Sequence, residues 1–178
     1  MFFSSNGSLP TFWFTGLSGA GKTTLAQTLT DALILRGWNV ELLDGDAVRR
    51  TLSADLGFSR EDRREQLRRV ALRCHESNMK ERIVVAALIS PYRADRAMAC
   101  DIIGADSFLE IYLSTPLHIC EARDPKGLYQ RARRREIPLF TGLDDPYEPP
   151  MNPALNLDTS VLDVPQCLQL LLSLLPPP

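Results

Sequence analysis

Residues 16–23 read Gly-Leu-Ser-Gly-Ala-Gly-Lys-Thr, a glycine-rich turn closed by one lysine and one hydroxyl, which is what holding a phosphate chain requires. Gly16, Gly19 and Gly21 let the backbone curl so that successive N–H groups point into one concavity, and the helix that follows adds its positive end. With Ser18, Ala20 and Thr24 completing the loop, Lys22 is expected to reach the β- and γ-phosphates of a nucleoside triphosphate, and the Thr23 hydroxyl to ligate the accompanying Mg²⁺. A second chemical pair is Asp44 and Asp46, separated only by Gly45. One carboxylate, Asp44, suits the Mg²⁺ shell, and the other, Asp46, suits an acceptor hydroxyl as base or orienting group. An acidic β-turn is the plainer reading of Asp-Gly-Asp.

These residues need a scaffold that brings them to one edge. Apolar runs at 11–15, 40–43, 83–89 and 108–113 alternate with helical patterns, the signature of βαβ units in a parallel sheet. A three-layer α/β fold of P-loop NTPase type, with a mainly parallel central sheet, follows. The first helix is expected over 21–36, with Leu25, Leu29, Ala32 and Leu33 facing the core and Gly37 as its stop. A long helix is expected over 59–82, capped by Ser59 with Asp62 in its first turn, carrying Leu67, Val70, Ala71 and Cys74 inward. Glu65 and Arg69 can pair on its outer side. A short edge strand at 155–158 and a terminal helix at 164–175 complete the list. Between them, residues 126–153 hold the Arg131, Arg133, Arg134, Arg135 cluster and a Gly- and Pro-rich stretch, read as an Arg-rich lid over about 126–150 and a long functional loop.

At 178 residues and a net charge of −2 with both signs interspersed, one domain over 1–178 suffices, and there is no nucleic-acid or membrane signature. The four cysteines, Cys74, Cys100, Cys120 and Cys167, have no metal-ligand spacing, so reduced thiols in a cytoplasmic protein are expected. The first ten residues read as a short arm with neither a basic leader nor a long apolar run.

Several blocks stand in the order found in adenylyl-sulfate kinases, which the chain resembles over nearly its whole length. They are the phosphate loop, Leu43-Asp44-Gly45-Asp46 with Arg49, Asp55-Leu56-Gly57-Phe58-Ser59, Ile89-Ser90-Pro91-Tyr92-Arg93, the stretch from Cys120 through Lys126-Gly127-Leu128-Tyr129, and the stretch from Phe140-Thr141-Gly142 to Tyr147-Glu148. The resemblance implies transfer of the ATP γ-phosphoryl group to the 3′-hydroxyl of adenosine 5′-phosphosulfate (APS). It implies that Phe58 and Phe140 sandwich the acceptor adenine, that Arg49 and Arg63 hold the phosphosulfate, and that Gln66, Ile89, Ser90, Lys126, Leu128, Thr141 and Gly142 line that site. Ser90 resembles a serine recorded as phosphorylated in some members, although direct in-line transfer needs no such intermediate. Arg123 and Arg133 are implied on the ATP side, and a homodimer and a functional link to an ATP sulfurylase as associations.

The departures are few. Gln66 stands where the family commonly has Asn, and Arg135 where the lid commonly has Gly. The usual Pro-Glu-Leu near the end is Pro153-Ala154-Leu155, and the N-terminal extension is short. Two other readings remain open: a catalytically idle nucleotide-binding partner of a sulfate-activating enzyme, and a P-loop kinase for another small hydroxyl acceptor such as a sugar acid.

Overall fold

A computed structural model describes residues 9–175; the arm at 1–8 and the terminal prolines lie outside the described residues. Five strands, β1 (Thr11–Gly16), β2 (Val40–Asp44), β3 (Ile83–Ala87), β4 (Phe108–Leu113) and β5 (Leu155–Leu157), pair in the order β2-β3-β1-β4-β5. Every pairing is parallel, so all strands end at one edge, and the loops leaving that edge build the site. Burial explains why β1 is central: Phe12, Trp13 and Phe14 are fully buried, each contributing roughly 1.5–3 kcal/mol on leaving water. Alternation along the strand sends Phe12 and Phe14 into one core layer and Trp13 into the other. The first layer is closed by α1 (Lys22–Leu35) and α7 (Val164–Leu172), the second by α3 (Arg60–Asn78) and α4 (Arg93–Ile103).

Shorter helices carry the rim of the site: α2 (Gly45–Arg50), α5 (Leu117–Arg123) and α6 (Leu128–Arg133). None of α2, α4, α5 or α6 is singled out by periodicity, and α6 turns part of the expected lid into regular structure. Other boundaries shift for local reasons. The long helix stops at Asn78 rather than 82, because the Asn78 side-chain amide donates to the Arg82 carbonyl and Glu81 takes φ 55. Strand β3 stops at Ala87 rather than 89, with Ser90 turned to φ 39. The terminal helix ends at Leu172 rather than 175. At the head of α3, Ser59 accepts from the Asp62 N–H at 3.1 Å as its cap, and Arg69 Nε meets Glu65 at 3.0 Å.

Two helix ends use one device with different residues. After α1, the Trp38 N–H donates to the Leu33 carbonyl and the Gly37 N–H to the Ile34 carbonyl, with Gly37 at φ 86: a Schellman motif with its preferred residue. After α6, Glu136 donates to Arg131 and Arg135 to Ala132 in the same pattern, but the residue at φ 60 is an exposed arginine. A residue with a Cβ costs about 1–2 kcal/mol in that conformation, partly offset by the greater chain entropy glycine loses on folding. Arg135→Gly is therefore expected to raise Tm by roughly 2 °C. Arg135→Ala, which keeps the Cβ, should show no gain in the same melting experiment.

Candidate active site

The loop leaving β1 wraps over the start of α1, whose N-terminal cap is Gly21. At Gly19 the chain has φ 75, and a Cβ there would come within 2.7 Å of the Cys120 carbonyl, so the loop lies against α5 only because this residue is glycine. Lys22 folds back so that its ammonium donates to the carbonyls of Gly16 (2.8 Å) and Leu17 (2.7 Å). Enclosure of that ammonium by the loop lowers its pKa to about 8; Lys126 adds to the fall and Asp44 and Asp46 oppose it.

Although β3 separates β2 from β1 in the sheet, Thr23 on the first turn of α1 reaches across to Asp44 at the end of β2, its hydroxyl donating to Oδ2 at 2.9 Å. The other Asp44 oxygen accepts from the Asp46 N–H at 3.0 Å and so caps α2. The Asp46 carboxylate itself pairs with Lys126 from the α5–α6 loop. The two acids thus divide: one toward the phosphate loop, one toward the facing rim. Thr23 and Asp44 offer hard oxygens of the kind Mg²⁺ takes, with phosphate and water left to complete the shell. Among the described residues no cluster of three or more His, Cys, Asp or Glu side chains could hold a metal unaided.

A cavity of about 1300 Å³ runs from this loop to a second, flatter region. There Phe58 is 62% exposed, with the Arg49 guanidinium 4.3 Å from its ring centre. Across from it Phe140 shows only an edge: it is 8% exposed and stacks T-shaped on Tyr129 at 4.9 Å. Arg63 ties the two sides together, donating to the Leu139 carbonyl (2.7 Å) and the Thr141 hydroxyl (3.1 Å). Gln66, buried on α3, faces the same space, as do Ile89, Ser90 and Leu128. The Ser90 hydroxyl is 3.2 Å from the Trp13 indole N–H, which donates to it, and the residue is 3% exposed.

A family model described as adenylylsulphate kinase matches residues 9–158. The chain belongs to the adenylyl-sulfate kinase family. Among relatives, the adenylyl-sulfate kinase of Marinobacter nauticus is 49% identical over 163 residues, spanning 92% of this chain and 82% of its own. That of Vibrio cholerae is 51% identical over 163 residues, spanning 89% of this chain and 76% of its own. The APS kinase of Mycobacterium tuberculosis, solved in complex with AMPPNP and APS, is similar in structure with a TM-score of 0.90 at 41% identity, covering 94% of this chain and 97% of that chain.

For an adenylyl-sulfate kinase the cavity collects most of the expected residues: Ser18, Gly19, Gly21, Lys22, Thr23 and Thr24 at one end, with Arg123 tied to Thr159 beside them. Four expected residues lie off its wall. Gly16 and the buried Ala20 shape the phosphate loop from behind, and Gly142 packs against Leu17. Arg133 points away, bonded to Glu121 at 2.8 Å, because it falls on the outer side of α6; Arg131 lines the cavity instead. A helix there, rather than a loop, decides which arginine faces inward.

Thr159, Leu162, Val164 and the buried Cys167, none of them marked by a motif, also line the cavity beside the phosphate loop. A signal was present. In an all-parallel sheet the loop after β5 must emerge at the same edge, and Asp163 with Gln166 forms a capping box that starts α7 there.

Proposed function

We propose that this chain transfers the γ-phosphoryl group of ATP to the 3′-hydroxyl of APS, giving 3′-phosphoadenosine 5′-phosphosulfate and ADP, within one domain. The observation that carries it is a single cavity with a phosphate loop at one end and the Phe58, Arg49, Arg63 and Phe140 surface at the other. An open aromatic face with arginines beside it suits an anionic nucleotide, which offers a base to stack and charges to pair.

In this mechanism the loop N–H groups and Lys22 hold the triphosphate, and Lys22 follows the charge that moves to the leaving ADP. Thr23 and Asp44 would hold Mg²⁺, which when bound neutralises charge on the β- and γ-phosphate oxygens. Asp46 accepts a hydrogen bond from the 3′-hydroxyl, aims it in line with the γ-phosphorus and receives its proton. Lys126, which pairs with Asp46 across the cavity, then turns to the acceptor's anionic end. Thr159, Leu162 and Val164 offer a partly apolar shelf for the ATP base, and closing of the 126–150 segment excludes water from transfer. Ser90 helps shape the acceptor wall with its hydroxyl held by Trp13, so no covalent step through it is invoked. A homodimer, a cytoplasmic location and a functional link to an ATP sulfurylase belong to the same proposal; no helix among the described residues is long and apolar enough to cross a membrane.

Lys22 gives the donor site a pH signature. Lys22 is charged below about pH 8 and largely neutral above it in the free protein, whereas bound phosphates favour the charged form. Above pH 8, ATP binding must therefore take up a proton, and affinity should fall by up to about tenfold per pH unit. Calorimetric titrations at pH 9 in buffers of different ionisation enthalpy should record that uptake, and its absence would contradict the assignment.

The rival reading as a sugar-acid kinase predicts a polar acceptor site, which a 62% exposed phenylalanine does not provide. An idle copy is disfavoured because Lys22, Thr23, Asp44 and Asp46 are all present on the cavity. Measuring ADP release with APS, gluconate or adenosine as acceptor separates these readings. APS alone should give efficient turnover.

A further inference from the structure

Ser90, at φ 39, sits in the left-handed region, which a residue with a Cβ adopts only when its surroundings impose it. Its carbonyl is held by Arg96, one turn into α4 and absent from the cavity wall. It is 3% exposed, and its guanidinium donates to the Ser90 carbonyl at 2.7 Å, the Glu148 carbonyl at 2.6 Å and the Glu110 carboxylate at 2.6 Å. One planar group thus joins the exit of β3, the end of the 140–148 loop and strand β4. Around it the two segments are closed against each other. The Glu148 N–H donates to the Pro91 carbonyl at 2.8 Å, and the Arg93 N–H to the Glu148 carboxylate at 2.8 Å. Thr15 gives its proton to the Ile89 carbonyl at 2.7 Å, so the Tyr147 hydroxyl, 2.8 Å from Thr15 Oγ1, must be the donor in that contact.

The two segments that Arg96 joins also furnish opposite parts of the cavity. Ile89, Ser90 and Pro91 line it from one, Phe140 and Thr141 from the other. We propose that Arg96 is a positioning residue for the acceptor: by holding the Ser90 and Glu148 carbonyls on one guanidinium anchored at Glu110, it sets the spacing between these two walls. The inference rests on the assignment of this end of the cavity to APS. A displacement of about an ångström in a positioning element can cost up to about a hundredfold. The acceptor end should feel it first, since Arg96 makes no bond to residues 16–24.

Arg96→Lys keeps a charge for Glu110 but cannot hold three acceptors in one plane. With both substrates varied, KM for APS is expected to rise at least about tenfold while KM for ATP moves less than about twofold. A purely structural role would lower Tm without that selectivity, so unchanged KM values, or equal rises in both, overturn the proposal. Should this variant not fold, Glu110→Gln removes the charge that anchors the Arg96 guanidinium while leaving the cavity wall untouched, and a rise in KM for APS alone is again expected; no rise overturns it. The wild-type protein in the same assay separates the two claims. Failure to turn over APS refutes the acceptor assignment itself, whereas normal turnover with an unselective Arg96→Lys refutes only the role of Arg96.

Discussion

Asp46→Asn is expected to lower kcat by about 10²–10⁴-fold while leaving ATP binding close to normal, because an amide neither takes the acceptor proton nor aims the hydroxyl as an ionised carboxylate does. The size of the effect excludes a trivial explanation. The variant also loses the pair with Lys126, but both side chains are more than half exposed, so that pair contributes at most about 1 kcal/mol to stability. Melting should barely change. Asp44→Asn should behave differently: it weakens the oxygen set beside Thr23 and should raise the Mg²⁺ concentration needed for half-maximal rate. If Asp44→Asn removes turnover and Asp46→Asn does not, the roles of the two acids are reversed and the reaction class stands.

Lys22→Ala is expected to cut kcat by roughly 10²–10³, the usual result of removing one charge that stabilises a transition state. The loss should fall mainly on kcat, since Lys22 acts on charge that develops during transfer. Its stability signature is unusual for a lysine with two good hydrogen bonds. Desolvation already lowers its pKa to about 8, so the folded protein holds the ammonium at a cost, and removing it should leave Tm unchanged or slightly higher. Near-normal turnover of Lys22→Ala would overturn the phosphate-loop assignment.

What could be read from the sequence, and what could not, follows from the range of each signal. The phosphate loop, the Asp44-Gly45-Asp46 exit and the four main strands rest on contiguous residues, and their patterns survive in the fold with ends shifted by a residue or two. The Ser59 cap and the Gly37 stop are local chemistry and stand where expected. Arg133, placed off the cavity wall and bonded to Glu121, is the instructive case. Whether it or Arg131 faces the cavity depends on the phase of a six-residue helix, which one short polar segment does not reveal. Likewise the packing of Phe140 on Tyr129 and the three bonds of Arg96 join residues far apart in sequence, and only the folded chain brings them together. Arg135 lies between these cases. Its departure from glycine is visible in the sequence, but the positive φ that makes it costly is not.

The most direct test of the whole account is to follow the γ-phosphorus of ATP in a single turnover with APS and Mg²⁺, and to locate it in the product by phosphorus NMR. The account predicts one new phosphate on the 3′-oxygen of the adenosine ribose, the phosphosulfate left intact, and ADP formed in equal amount. Label found in inorganic phosphate, or on an acceptor other than APS when several are offered together, would contradict it.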